Sequence, residues 1–261
     1  MLPRAELLQG SHDPVALAGV LAAADQALRT WQPCWSDFLD GGVLEEAERR
    51  LGSLAELESR SEGGYPGAER RRLVLARRDA GLDLTQLDPP LVGVEISGNF
   101  LFDPAEPADL RAALLSLGLP VEGIGDLWLR GDRGGQGVVG LEWQGQLRVG
   151  EAQVRSVPVQ IAPRPLPELQ PPPRRQPRRL HSVEASTRLD AVASAGFGLP
   201  RNRLADLIRA GQVQVNWLPV TSPSHLLHSG DRVQLSGKGE LTVEAITTTK
   251  RDRFRIALLR R

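Results

Sequence analysis

A single cysteine, Cys34, occurs in 261 residues, which excludes a disulfide framework and any metal site built on thiolates. No apolar run approaches the ~20 residues that a membrane-spanning helix needs. The opening MLPRAELLQGSHDP lacks the charged-then-apolar layout of a secretion signal. There is no phosphate-binding G-x-x-x-x-G-K-[ST] loop and no G-x-S-x-G nucleophile elbow. The chain is therefore expected to be intracellular and cytoplasmic, with no membrane insertion, no metal and no small-molecule cofactor. What remains is an ordinary globular composition, 41% hydrophobic and 25% charged.

The net charge is zero, but its distribution is uneven. From Arg174 to the end there are 14 Arg and 2 Lys against 7 Asp and Glu, a net of +9. The preceding part carries 16 basic and 25 acidic residues, a net of −9. Such asymmetry points to one domain with a polyanion-binding surface.

An α+β chain in three parts is expected. Residues 1–88 read as a helical N-terminal domain. Asp13-Pro14 supplies an N-cap and a first helical position before Leu17, Val20, Leu21, Ala24 and Leu28. A second helix is predicted over Val43–Glu58, with Trp31, Trp35 and Phe38 packed between the two. The basic run Arg70, Arg71, Arg72 is either a solvated face or a phosphate contact.

Residues 89–165 alternate between strand and helix periods in the order β-α-β-β-(α)-β. That is the order of a ferredoxin-like domain, shared by RNA-recognition motifs. The two aromatic-rich strand signatures of those motifs are missing. A strand is predicted at Val92, Val94 and Ile96, a helix over Ala108–Leu117, and strands near Gly125–Arg130, Gly137–Leu141 and Val154–Ile161. Within it, Gly135-Gln136-Gly137-Val138-Val139-Gly140 spells G-x-G-x-x-G, yet it follows a hairpin-like turn and precedes no proper helix. Residues 166–182 form a linker rich in proline and arginine, expected as a semi-rigid spacer.

Residues 183–261 form the third domain. Thr187 is placed as a helix cap, with Asp190 as its third residue. Leu189, Val192 and Ala193 face inward, and Gly196 or Gly198 ends the helix. Pro200 opens a second helix whose Leu204, Leu207 and Ile208 form a buried stripe, and Gly211 stops it. At 100° per residue, Arg201, Asn202, Ala205 and Arg209 fall on one neighbouring face, with Arg203 and Asp206 further round. His225 and His228 read as surface histidines.

RLDAVASAGFGLPRNRLADLIRAGQVQVN followed by GDRVQL resembles the S-four domain, the RNA-binding module named after ribosomal small-subunit protein four. Two positions depart from its pattern: Pro200 replaces a serine, and Trp217 replaces a glycine after Asn216. The resemblance implies RNA contacts at Arg188, Arg201, Arg203 and Arg209, with Asn202 and Asn216 beside them. It makes Asp190 and Asp206 residues that cap or orient arginines. Charge alone adds Lys238, Lys250, Arg251 and Arg253 on later turns. The order of GGYPGAERRRLVLA, VEISGNFLFDP, GDLWLRGDRG and VRSVPV before this domain is similar to YlmH-type RNA-binding proteins, in particular the cyanobacterial and plastid photosystem II S-four branch. That implies a ribosome-associated partner of structured RNA, either rRNA or tRNA, in translation, with a link to photosystem II biogenesis.

Two other classes stand beside that one. Pseudouridine synthases carry S-four domains and use an aspartate in an Arg-Leu-Asp context. Here that triplet lies in the S-four helix, and no convergent acid, base and nucleophile set appears. A protein-interaction factor docking an acidic partner would use the same basic domain. The expectation is a non-catalytic RNA-binding protein.

Overall fold

The computed structural model describes residues 2–147, 151–173, 176–235, 238–250 and 252–261. The chain divides into two compact units, Met1–Arg174 and Arg175–Arg261. Among the described residues no helix is long and apolar enough to cross a membrane.

The first unit opens with α1 (Arg4–Leu8) and α2 (Pro14–Thr30). Asp13 caps α2, its carboxylate accepting from the Ala16 amide at 3.0 Å. Leu17, Val20, Leu21 and Ala24 are buried beneath it. The pair β1 (Cys34–Trp35) and α3 (Gly41–Leu51) follows, then β2 (Leu57–Glu62) and β3 (Arg72–Arg77). These strands form an antiparallel sheet in the order β1-β3-β2.

The N-terminal region is therefore not all helical, and the expected helix over Val43–Glu58 stops at Leu51. Leu57 begins a strand instead. The cause lies in β3, whose Leu73, Val74, Leu75 and Ala76 are all buried. A run buried on both faces shows no period-2 alternation, so periodicity does not betray it as a strand. Phe38 is buried as expected, but against Leu91, Trp128, Val138 and Leu169 rather than between the helices. Trp31 is half exposed and lies under the Arg77 guanidinium, 4.0 Å from the ring centroid.

The arginine run is not a uniform solvated face: Arg72 is buried, while Arg70 and Arg71 are half-buried. Arg72 donates to the Ser36 carbonyl at 2.6 Å and pairs with Glu142 at 3.0 Å. Arg70 donates to the Phe38 carbonyl and Arg71 to the Ala68 carbonyl. The loop between β2 and β3 is pinned by Asp126, which accepts from the Tyr65 hydroxyl and from the amides of Glu69 and Arg70. Arg72, through Glu142, and Asp126 stitch the N-terminal sheet to the next one.

That next sheet is built from β4 (Leu91–Ser97), β5 (Ile124–Leu129), β6 (Gly134–Gly140), β7 (Glu151–Val154) and β8 (Val157–Arg164), with α4 (Pro107–Ser116) and the short α5 (Gln144–Leu147) between strands. Its order is β5-β6-β4-β8-β7, with antiparallel neighbours throughout. Leu110 and Leu114 of α4 pack over Ile96, Ile124, Val139 and Ile161. The strand expected across Val154–Ile161 is a hairpin, turning at Arg155-Ser156. The G-x-G-x-x-G letters lie in β6 and are fully buried. A Cβ on Gly134, at φ 121°, would stand 1.9 Å from the Ile96 carbonyl oxygen. Glycine there permits close strand packing, not a phosphate cradle.

The proline-rich stretch is tied down at both ends. Leu169 is buried in the cluster with Val138, and the Gln170 amide donates to the Gln136 side chain at 2.9 Å. Its far end, within the expected linker 166–182, joins the second unit as strand β9 (Arg178–Glu184).

The second unit continues with α6 (Leu189–Phe197), α7 (Arg201–Arg209), β10 (Val213–Val215), β11 (Leu218–Pro219), β12 (Arg232–Leu235), β13 (Gly239–Thr248) and β14 (Phe254–Arg260). Its sheet runs β11-β10-β12-β13-β14-β9. Leu189, Val192, Ala193, Leu204 and Ile208 pack the two helices against Val213, Val233, Val243 and Ile256. Gly198 at φ 67° and Gly211 at φ 71° take the left-handed positions that end the helices. Thr187 does not cap α6. Arg188 occupies the N-cap, and the free amides of Leu189 and Asp190 donate to the carbonyls of His225 and Pro223 at 2.7 and 3.1 Å. Pro200 sits one position before α7 rather than inside it.

Candidate nucleic-acid interface

Relieved of capping, the Asp190 carboxylate takes a different role. It lies at the start of α6, 5% exposed, between two guanidinium groups. Arg188 donates to it through Nε at 3.1 Å and Nη2 at 3.0 Å. Arg201, at the start of α7, donates through Nε at 3.1 Å and Nη2 at 3.0 Å. One carboxylate thus holds two arginines bidentately, a geometry that fixes planar groups firmly. The arginine side chains stay 38% and 54% exposed, so their outer edges face solvent. Burial raises the pKa of Asp190, but hydrogen bonds and charge from Arg188 and Arg201 outweigh it. The carboxyl is held below its usual range.

The remaining sequence-predicted residues divide between those near this pair and those away from it. Arg203 is exposed and forms no ion pair among the described residues. Asn202 is exposed, its side-chain oxygen accepting from the Arg203 amide at 2.8 Å. Arg209 is exposed at the other end of α7 and pairs with Asp206 at 2.8 Å. Ala205, expected on the open face, is buried.

Asn216 is a turn residue. Its side chain donates to Asp231 and accepts from the Arg232 amide, at 2.8 and 2.9 Å. Lys238 lies in the turn between β12 and β13, and Lys250 in the turn between β13 and β14. The ten residues of β13 separate these turns, about 30 Å of extended chain, so one small patch does not include both. Arg251 lies outside the described residues.

Sequence reasoning did not pick out Arg232. Its guanidinium lies 5.1 Å from the centroid of the Trp217 ring. The available signal was the replacement of a turn glycine by tryptophan, which calls for a partner nearby.

Parts of this chain are similar to known proteins. A model of the YlmH N-terminal domain matches residues 13–80, and an S4 domain model matches residues 187–233. The ribosome-associated protein quality control protein P2 of Bacillus subtilis (strain 168) is 26% identical over 199 residues, covering 76% of each chain. The solved structure of cell division protein ylmH from Streptococcus pneumoniae aligns at 16% identity and a TM-score of 0.45. That alignment covers 58% of this chain and 90% of that one.

Proposed function

We propose that this chain, YlmH-like in its N-terminal domain and carrying a C-terminal S4 domain, binds structured RNA on the ribosome. The observation that carries the reading is the pair Arg188 and Arg201, preset by one buried carboxylate on the S4 domain. Guanidinium groups fixed in plane match phosphate oxygens and lose little freedom on binding. Arg203 and Arg209 extend the surface along α7, with Asn202 beside them. Asn216 shapes the neighbouring turn, and Lys238, Lys250 and Arg251 supply diffuse positive charge. The relative named for ribosome association and quality control supports a ribosomal setting, with rRNA or tRNA as the RNA.

The protein is a binding factor rather than an RNA-modifying enzyme. Asp190, the aspartate of the Arg-Leu-Asp triplet, is buried between two cations with its pKa lowered. That leaves it neither exposed for attack on a base nor tuned for proton transfer. The sheet order β5-β6-β4-β8-β7 supports a ferredoxin-like reading of the middle region. A photosystem II role has only the branch resemblance behind it, and the ribosomal reading takes precedence.

The test is equilibrium binding of the full chain to a tRNA, an rRNA fragment and duplex DNA across salt concentrations. Four arginine–phosphate pairings give a slope of log K against log salt of about −3. Either RNA should also displace the duplex. Equal affinity for duplex DNA and both RNAs would sink the proposal in favour of general polyanion attraction.

A further inference from the structure

The hairpin joining β10 to β11 turns through two residues, since Val215 pairs directly with Leu218. Both turn residues have positive φ, 50° at Asn216 and 70° at Trp217. That is the pattern of a type I′ turn, whose second position favours glycine. Asparagine tolerates this backbone, and its side chain is locked by Asp231 and Arg232. Tryptophan does not tolerate it well, because its Cβ meets the carbonyl in the left-handed region. A bulky aromatic held there costs folding energy, and such strain concentrates where it serves binding.

The setting supports that use. The indole is half-buried, and Leu218 beside it is 49% exposed. The Arg232 guanidinium lies over the ring, so the tip pairs an aromatic surface with a cation. Along the sheet the tip is level with Thr242, Leu259 and Arg179, and the strand end that leads to the arginine pair lies further along in the same direction. Val215 pairs with Val233, Arg232 with Thr242, and β13 then runs on to Thr248, opposite Phe254 and Glu184. Four residues after Glu184 the chain reaches Arg188. The loop following the hairpin returns to the same place, where Leu226 bridges to Arg188.

We infer that Trp217, together with Arg232, is a stacking subsite for an unpaired base of the bound RNA. The inference rests on the RNA-binding reading above and deepens it. Phosphates would lie along the arginines while one base leaves its stack to lie against the indole, a device common in recognition of loops and bulges. The subsite selects single-stranded over paired segments without reading base identity.

The experiment compares wild type, Trp217→Gly and Trp217→Phe on two RNAs of equal length, a hairpin with an open loop and a fully paired duplex. Trp217→Gly should weaken hairpin binding about tenfold, on the scale of one missing stack, and leave duplex binding unchanged. Its urea midpoint should rise, because glycine suits the turn. Trp217→Phe should retain most of the hairpin affinity. Unchanged hairpin binding by Trp217→Gly overturns this inference alone. A lowered urea midpoint with equal loss on both RNAs makes Trp217 a packing residue and overturns it too. If wild type binds neither RNA, the underlying reading fails and the subsite with it.

Discussion

The triple variant Arg188→Gln/Asp190→Asn/Arg201→Gln is expected to bind structured RNA about 30- to 100-fold more weakly than wild type, because two charge-assisted bonds to phosphate are removed. The two guanidinium groups share Asp190, so either arginine changed alone leaves the other still held. Changing both while keeping Asp190 would strand a nearly buried carboxylate and confuse binding with unfolding. Removing all three charges together leaves neutral amides that can still bond to one another. Stability should therefore change little, as read by a urea midpoint. The slope of log K against log salt should become shallower by about 1.5, half of the slope assigned to four arginine–phosphate pairings. Affinity within twofold of wild type, with the slope unchanged, would remove the arginine pair from the interface.

The second large effect concerns Asp190 alone, where simple electrostatics and preorganisation predict opposite signs. Asp190→Asn removes a negative charge from a basic surface. At ~7 Å in a water-like medium that relieves about 0.6 kcal/mol of repulsion toward a phosphate, less after screening by salt. The change also releases two long side chains, and ordering such a chain on binding costs about 0.5–1.5 kcal/mol. Preorganisation wins, and RNA affinity should fall about five- to tenfold despite the more positive charge.

The same variant has a distinctive pH signature. The folded pKa of Asp190 lies below its unfolded value of about 3.9. The ion pairs therefore contribute stability that is fully present above that value and is lost as pH falls through the folded pKa. Wild type and Asp190→Asn should differ in urea midpoint at neutral pH and converge in acid, once pH has fallen through the lowered folded pKa. Tighter RNA binding by Asp190→Asn, or a stability gap that persists in acid, would contradict the role given to this carboxylate.

Much of the second unit is legible in the sequence because its punctuation is local. Gly198 and Gly211 end helices by their backbone freedom, and the stripe of Leu204 and Ile208 has helical spacing. The strand β9 is hidden because its alternation is weak and basic, RRLHSVE at a sheet edge. It becomes a strand only by pairing with β14, far along the chain. In the first unit, β3 conceals its strand character in a run buried on both faces. Arg70, Arg71 and Arg72 look like surface charge because a run of arginines carries no sign of burial.

The candidate site is legible in its residue types but not in its pairing. The spacing of Arg188 and Asp190 is local, whereas the ion pair of Arg201 with Asp190 depends on how α7 returns against α6. The separation of Lys238 from Lys250 likewise follows from strand register, which charge counting does not contain. Trp217 is visible as a departure from a pattern. Its meaning needs the backbone angles.

RNA binding through the S4 domain is best tested by ultraviolet crosslinking in the native cell, with sequencing of the bound RNA and mapping of the crosslinked peptides. Ribosomal RNA or tRNA should be attached to peptides from residues 187–233, including the one that carries Trp217. Crosslinks confined to residues 2–173, or an S4 domain recovered without RNA, would contradict that role.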